Sequence, residues 1–288
     1  MFDRFDLSPE LVRNTERQGF SEPTPIQFSA IPPALEGRNL IATAETGSGK
    51  TLAFVLPMVQ RLAAGPRGYT RGLVLAPTRE IAVQTGDVVW KMTRDTGLRS
   101  AVIYGGVGMA PQEKALRAGA DIVIATPGRL LDHLGRGNAS LKRVSILVLD
   151  EADRMMDMGF LPDLRRILAR LPRERQTMLF SATMPPDIVA LARQFIPDPV
   201  RVQVGKLATP PEAIDQKAFP VAADLKTELF LRLLEDEGMK TVLVFTRTRH
   251  RADRLTRQLR RAGVSVDCIH GGRSQAQREA ALKRFREC

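Results

Sequence analysis

Short apolar runs alternate with longer amphipathic stretches along the chain. The runs "NLIAT" (39–43), "GLVLAPT" (72–78), "SAVIYGG" (100–106), "DIVIATP" (121–127), "SILVLDE" (145–151) and "TMLFSAT" (177–183) are continuously apolar at their centres. Strands covered on both faces have this pattern, whereas half-exposed strands alternate. Helical periodicity fills 51–62, 79–93, 128–134, 162–171 and 186–194. The β-α-β rhythm predicts an α/β fold with right-handed crossovers and an open, doubly wound parallel sheet. Ligands of such sheets bind at the carboxyl ends of the strands.

The rhythm weakens at 204–221, where Pro210 and Pro211 resist helix. The expected organisation is a first domain at 1–205, a linker at 206–216 and a second domain at 217–288. The second domain repeats the β-α pattern: strands at 217–221, 241–246 and 265–272, and helices at 225–234, 249–261 and 274–286. Ser274 and Gln277 form a plausible capping box for the last helix. A further strand is expected after residue 288, so this domain is expected to be truncated.

Composition narrows the class. No apolar run approaches the roughly 20 residues that span a bilayer, and the N-terminus lacks a basic segment followed by an apolar one. The chain has two cysteines, Cys268 and Cys288, and three scattered histidines, His133, His250 and His270. That argues against a disulfide scaffold or a regularly spaced zinc site and predicts a reducing, cytoplasmic setting. Net charge is +11. Residues 1–205 carry 26 basic and 21 acidic side chains, net +5, and residues 206–288 carry 17 and 11, net +6. A polyanionic partner follows, with nucleic acid the first candidate.

Two clusters suggest chemistry. "AETGSGKT" (44–51) follows an apolar strand and opens a helix, with Ala44 where the phosphate-loop pattern has its first glycine. Thr46, Gly47, Ser48 and Gly49 would cradle phosphates with backbone amides at a helix N-terminus. Lys50 would meet the β- and γ-phosphates, and the Thr51 hydroxyl would meet Mg²⁺. At the end of another strand, Asp150, Glu151 and Asp153 crowd three carboxylates into four residues. Such crowding is costly unless cations compensate it. Asp150 is the expected Mg²⁺ ligand, Glu151 the group that polarises the attacking water, and Asp153 a tie to a neighbouring element.

"DEAD" (150–153), together with "AETGSGKT", "PTREIAVQ" (77–84), "TPGR" (126–129) and "SAT" (181–183), resembles the DEAD-box family of ATP-dependent RNA helicases. The resemblance covers essentially the whole chain. It implies two RecA-like domains with doubly wound parallel sheets, the second truncated here, that close over ATP and RNA. "GFSEPTPIQ" (19–27) resembles the family's adenine-sensing segment. Phe20 and Gln27 are then nucleotide contacts, the Gln27 amide matching N6 and N7 of adenine. The family also stacks an upstream aromatic on the base; Phe2 is the choice and Phe5 the competitor. Catalysis is assigned to Lys50, Asp150 and Glu151.

By the same resemblance, RNA-binding positions are Pro77, Thr78, Arg79, Gly105, Gly106, Thr126, Gly128 and Arg129, and Gln258 and Arg261 in the second domain. Ser181 and Thr183 would hydrogen-bond Asp153 and couple nucleotide state to RNA. With one Trp and two Tyr in the chain, stacking on bases is limited, so backbone contacts with little sequence preference are expected. The family's two last motifs have no match before Cys288, so this polypeptide is expected to bind ATP, to bind RNA only weakly and to turn over slowly. The intact protein is expected to unwind RNA duplexes locally. The rivals are a nucleotide-gated RNA clamp or annealing module without unwinding, and a DNA helicase or GTP-using switch.

Overall fold

The apolar runs become strands because neighbouring residues point to opposite faces of one sheet and both faces are covered. A computed structural model describes residues 2–205, 214–235, 239 and 241–287. The strands are β1 (Leu40–Thr43), β2 (Gly72–Leu75), β3 (Ser100–Ile103), β4 (Ile122–Ala125), β5 (Ile146–Leu149), β6 (Gln176–Ser181) and β7 (Val200–Gln203). They form a seven-stranded sheet in the order β3-β4-β2-β5-β6-β1-β7, and every pairing is parallel. The fold is α/β and RecA-like.

Helices cover both faces. They are α1 (Pro9–Arg17), α2 (Pro25–Leu35), α3 (Lys50–Ala63), α4 (Arg79–Met92), α5 (Met109–Arg117), α6 (Pro127–Gly135), α7 (Ala152–Asp157), α8 (Leu161–Leu168) and α9 (Pro186–Phe195). Leu40, Ala42, Val74, Ile124, Val148 and Phe180 point into one apolar cluster with α1 to α4. The alternate residues Ile41, Leu73, Leu75, Val123, Leu147 and Leu179 point into a second cluster with α6 to α9. Phe54 of α3 packs on Phe180 with ring centroids 5.2 Å apart, and both are fully buried. Truncating such a residue to alanine costs about 3–5 kcal/mol.

The chain divides into two compact units, Met1–Thr209 and Pro210–Cys288. Residues 206–213 of the expected linker lie outside the described residues. The second unit contains α10 (Lys226–Glu235), α11 (Arg249–Arg261) and α12 (Gln275–Arg286). The Ser274 capping box forms: its backbone N–H donates to Gln277 Oε1 at 3.0 Å, and its hydroxyl accepts from Gln277 N–H at 3.3 Å.

The expected second sheet does not form among the described residues. The segments 217–221, 241–246 and 265–272 run without a hydrogen-bonded ladder. Leu243, Val244 and Phe245 are exposed, Phe245 to 87%. A parallel strand depends on lateral partners and on cover from both sides. These segments have neither here.

Candidate functional site

The phosphate-loop sequence sits at the carboxyl end of β1. Gly47 and Gly49 adopt φ of +84° and +94°, in the left-handed region that other residues avoid. Gly49 is the N-cap of α3. A side chain at Gly49 would also press on Gln27 Nε2 at 2.5 Å and Thr24 Oγ1 at 3.0 Å. Glycine is therefore required twice over, by backbone and by space. Lys50 is nearly buried, and its Nζ donates to the carbonyls of Ala44 at 2.6 Å and Glu45 at 2.8 Å. Burial lowers its pKa, opposed by the charges of Asp150, Glu151, Asp153 and Glu45.

The acidic cluster lies after β5, two strands from β1 with β6 between them. Asp150 is 5% exposed, and its pKa is pushed up to about 7, first by burial and then by Glu151, against the pull of Lys50. Glu151 caps α7 in a left-handed conformation, φ +49°. Its carboxylate meets Arg154 at 3.2 Å. At Asp150, burial and the neighbouring Glu151 outweigh Lys50. Carboxylate and hydroxyl oxygens are the donors that Mg²⁺ prefers, so Asp150 and Thr51 fit such an ion.

Asp153 is tied to the end of β6. Its Oδ2 accepts from Thr183 N–H at 2.8 Å, Thr183 Oγ1 at 2.9 Å and Ala182 N–H at 3.2 Å. The Ser181 hydroxyl accepts from the Asp153 backbone N–H at 3.2 Å. Burial alone would raise the Asp153 pKa, but the hydrogen bonds from Thr183 and Ser181 outweigh it, and the carboxyl lies below its usual value. The structure therefore brings Asp153, Ser181 and Thr183 together.

Gln27 lies on the first turn of α2 and bridges two elements. Its Oε1 accepts from Thr24 N–H at 3.0 Å, and its Nε2 donates to the Gly49 carbonyl at 3.0 Å. An amide retains a second hydrogen and a second lone pair for a base. Phe2 and Phe5 are both buried, with ring centroids 6.0 Å apart, and both belong to the core. Phe20 is 39% exposed and shares a pocket of about 210 Å³ with Phe2.

The expected RNA positions follow β2, β4 and β3, which are neighbours at the other half of the sheet. Thr78 follows Pro77 and caps α4, accepting from Ile81 N–H at 3.3 Å. Thr126 caps α6, whose first turn contains Gly128 and Arg129. Arg129 donates to the Val107 carbonyl at 3.1 Å. Gly106 has φ +83°, and a Cβ there would overlap the Arg79 guanidinium, which also lies beside Gly105. The loops carrying Arg79, Gly105, Gly106 and Arg129 thus meet. In the second unit, Arg251, Arg254, Arg257 and Arg261 are exposed on α11 and Gln258 is half-buried.

Sequence spacing gave no hint of one grouping. Ligand atoms of Asp253, Cys268 and His270 lie within 4.8 Å of one another. The geometry disfavours a metal. Arg273 donates to Asp253 Oδ1 at 2.6 Å and thereby supplies the positive charge. His270 Nδ1 accepts from Gly272 N–H at 3.1 Å, so Nε2, 3.1 Å from Asp253, carries the proton a metal would have to displace.

The chain matches the family model of the DEAD/DEAH box helicases over residues 24–191 and that of the helicase conserved C-terminal domain over 225–288. It is 44% identical over 293 residues to DEAD-box ATP-dependent RNA helicase 30 of Arabidopsis thaliana, covering 99% of this chain and 49% of that one. It is 40% identical over 287 residues to the DEAD-box ATP-dependent RNA helicase CshA of Geobacillus kaustophilus, covering 99% and 61%. Among solved structures it resembles a DEAD box protein from the hyperthermophile Methanococcus jannaschii, with TM-score 0.67, 36% identity and coverage of 99% and 77%. The chain spans about half the length of the curated relatives it matches. With the glycine cradle, the acidic cluster and the Asp153–Thr183 tie on one sheet, the chain belongs to the DEAD/DEAH box helicase family.

Proposed function

We propose that this chain forms the ATP-binding part of an RNA-dependent ATPase that locally separates RNA duplexes. The observation that carries the reading is that Lys50, at the end of the glycine cradle, and Asp150, after β5, are both buried at the carboxyl ends of one sheet, an arrangement that a Mg²⁺–triphosphate would complete. Bound Mg²⁺, held by Asp150 and Thr51, would supply charge neutralisation at the terminal phosphates.

The protein's own groups have separable tasks. Lys50 would leave the carbonyls of Ala44 and Glu45 for phosphate oxygens. Glu151 would orient water and accept its proton from its place at the N-cap of α7. Gln27 would report the base, favouring adenine because guanine presents an acceptor where adenine presents a donor. Asp153 with Ser181 and Thr183 would transmit occupancy along the ends of β5 and β6. Arg79, Arg129 and the glycine loop would meet an RNA backbone, with Gln258 and Arg261 adding contacts from α11.

The test compares ATP with GTP and RNA with DNA in hydrolysis and strand-displacement assays on the full-length protein. RNA-stimulated ATP hydrolysis with duplex separation is expected. RNA-stimulated hydrolysis without displacement would favour a nucleotide-gated clamp. Equal stimulation by DNA, or preference for GTP, would overturn the reading.

A further inference from the structure

We propose that Gln112 and His133 are positioning residues for the RNA-facing glycine loop, holding residues 104–108 in the shape that Arg79 and Arg129 need to meet a sugar–phosphate backbone. The inference rests on the RNA reading of that face. Gln112 lies on α5 and is 6% exposed, and His133 on α6 is fully buried. Neither can touch RNA, so any effect on RNA must pass through the loop.

Gln112 Nε2 donates to the Tyr104 carbonyl at 3.0 Å and reaches the Gly108 carbonyl at 3.5 Å. One amide nitrogen thus grips both ends of the loop. Its oxygen lies 3.4 Å from His133 Nε2. An amide oxygen only accepts, so this contact selects the tautomer with hydrogen on Nε2. Burial, aided by Arg129, lowers the His133 pKa and so favours the neutral ring. Four residues before His133, Arg129 donates to the carbonyl of Val107. One helix therefore reaches the loop by two routes, directly through Arg129 and indirectly through His133 and Gln112.

The chemistry explains why these contacts matter. Three carbonyl oxygens of the loop, those of Tyr104, Val107 and Gly108, are engaged by donors inside the protein. A carbonyl oxygen turned toward a phosphate repels it, whereas backbone N–H groups and guanidinium attract it. Sequestering the oxygens leaves Arg79, already packed on Gly105 and Gly106, to define the face offered to RNA.

The experiment measures binding of a single-stranded RNA by fluorescence anisotropy, alongside Mg²⁺–ADP binding and Tm. Gln112→Glu keeps the side-chain volume but sets carboxylate oxygen against two carbonyls. Its RNA Kd should rise at least about tenfold with ADP affinity unchanged, and the slope of log Kd against log salt should become shallower by about one as a phosphate contact is lost. His133→Leu should act likewise. His133→Gln restores a donor of similar reach and should recover most of the affinity. A role in stability alone would move Tm without separating RNA from ADP.

Arg129→Ala is the reference. If it weakens RNA while Gln112→Glu does not, the positioning role is overturned and the RNA reading stands. If Arg129→Ala leaves RNA binding intact, the RNA reading of this face fails first. Should Gln112→Glu not fold, the His133 pair decides: equal RNA affinity for His133→Leu and His133→Gln would overturn the proposal.

Discussion

After β1 and β5 the loops of the sheet hold buried charge; after β2, β3 and β4 they hold shape. On the first side Lys50 and Asp150 are both nearly buried, and each has its pKa shifted toward the neutral form by desolvation. On the second side the loops are fixed by a threonine cap at Thr78, by glycine at 105 and 106, and by arginines lying on carbonyls or glycines. The same parallel sheet supports both. The difference teaches that one half sets buried ionisable groups against one another, whereas the other is settled by hydrogen bonds and packing.

The largest expected break concerns the charged half. Glu151→Gln should lower RNA-stimulated ATP hydrolysis by about 10²–10⁴-fold while nucleotide affinity holds, as loss of a general base does. Steady-state ATPase with parallel ADP titration checks it, and an equal fall in affinity would remove Glu151 from that role. Lys50→Ala should weaken Mg²⁺–ADP by about 10–150-fold, on the scale of about 1.5–3 kcal/mol for hydrogen bonds to a charged group. Calorimetric titration reads it directly. RNA binding in the absence of nucleotide should be untouched, which keeps the two halves distinct.

On the shaped half, Gly106→Ala should weaken RNA binding several-fold without changing ADP affinity, because φ of +83° and the Arg79 guanidinium both resist a methyl group. Anisotropy titration is the measurement. Asp153→Asn should bridge the comparison. It should leave each ligand's separate affinity within a few-fold and reduce the factor by which ATP analogue and RNA strengthen one another, a coupling usually worth about 1–3 kcal/mol. Unchanged coupling would reduce the Asp153–Thr183 contact to a structural tie.

The smallest effect is one of pH. The His133 pKa is lowered in the folded state by burial and Arg129, partly opposed by Glu113 and Asp132. The unfolded chain then binds the proton more readily. Stability contributed by the neutral ring is present above the ordinary histidine value of 6.5 and is lost as pH falls below it toward the folded-state value. Chemical denaturation of the wild type and His133→Gln between pH 7.5 and about 5 should show a steeper fall for the wild type.

Six of the seven strands were legible from their apolar runs: β1, β2, β4, β5 and β6 are buried throughout, and edge strand β3 keeps Ala101 and Ile103 buried. Strand β7 escaped because "VRVQ" is an edge strand with exposed Arg201 and Gln203. Helix α2 was obscured by Pro32 and Pro33 inside it. In the second unit, the runs at 241–246 and 265–272 promised strands, but a run states only that a segment can pair, not that a partner is present. The phosphate loop and the acidic cluster were legible because their residue types are costly anywhere else, and the Asp153 tie to Ser181 and Thr183 was legible only through the family resemblance. Gln112 and His133 were not, since a glutamine and a histidine 21 residues apart carry no pattern until α5 and α6 pack.

One contact at the start of α3 has a wider consequence. The Gln27 amide rests on the Gly49 carbonyl, the last peptide before Lys50. On the proposed reading, a nucleobase that engaged that amide would pull on the same peptide that leads into Lys50. Inorganic triphosphate, which has no base, should therefore meet the cradle in its resting posture, and identity at one end of the nucleotide would be felt mechanically at the other.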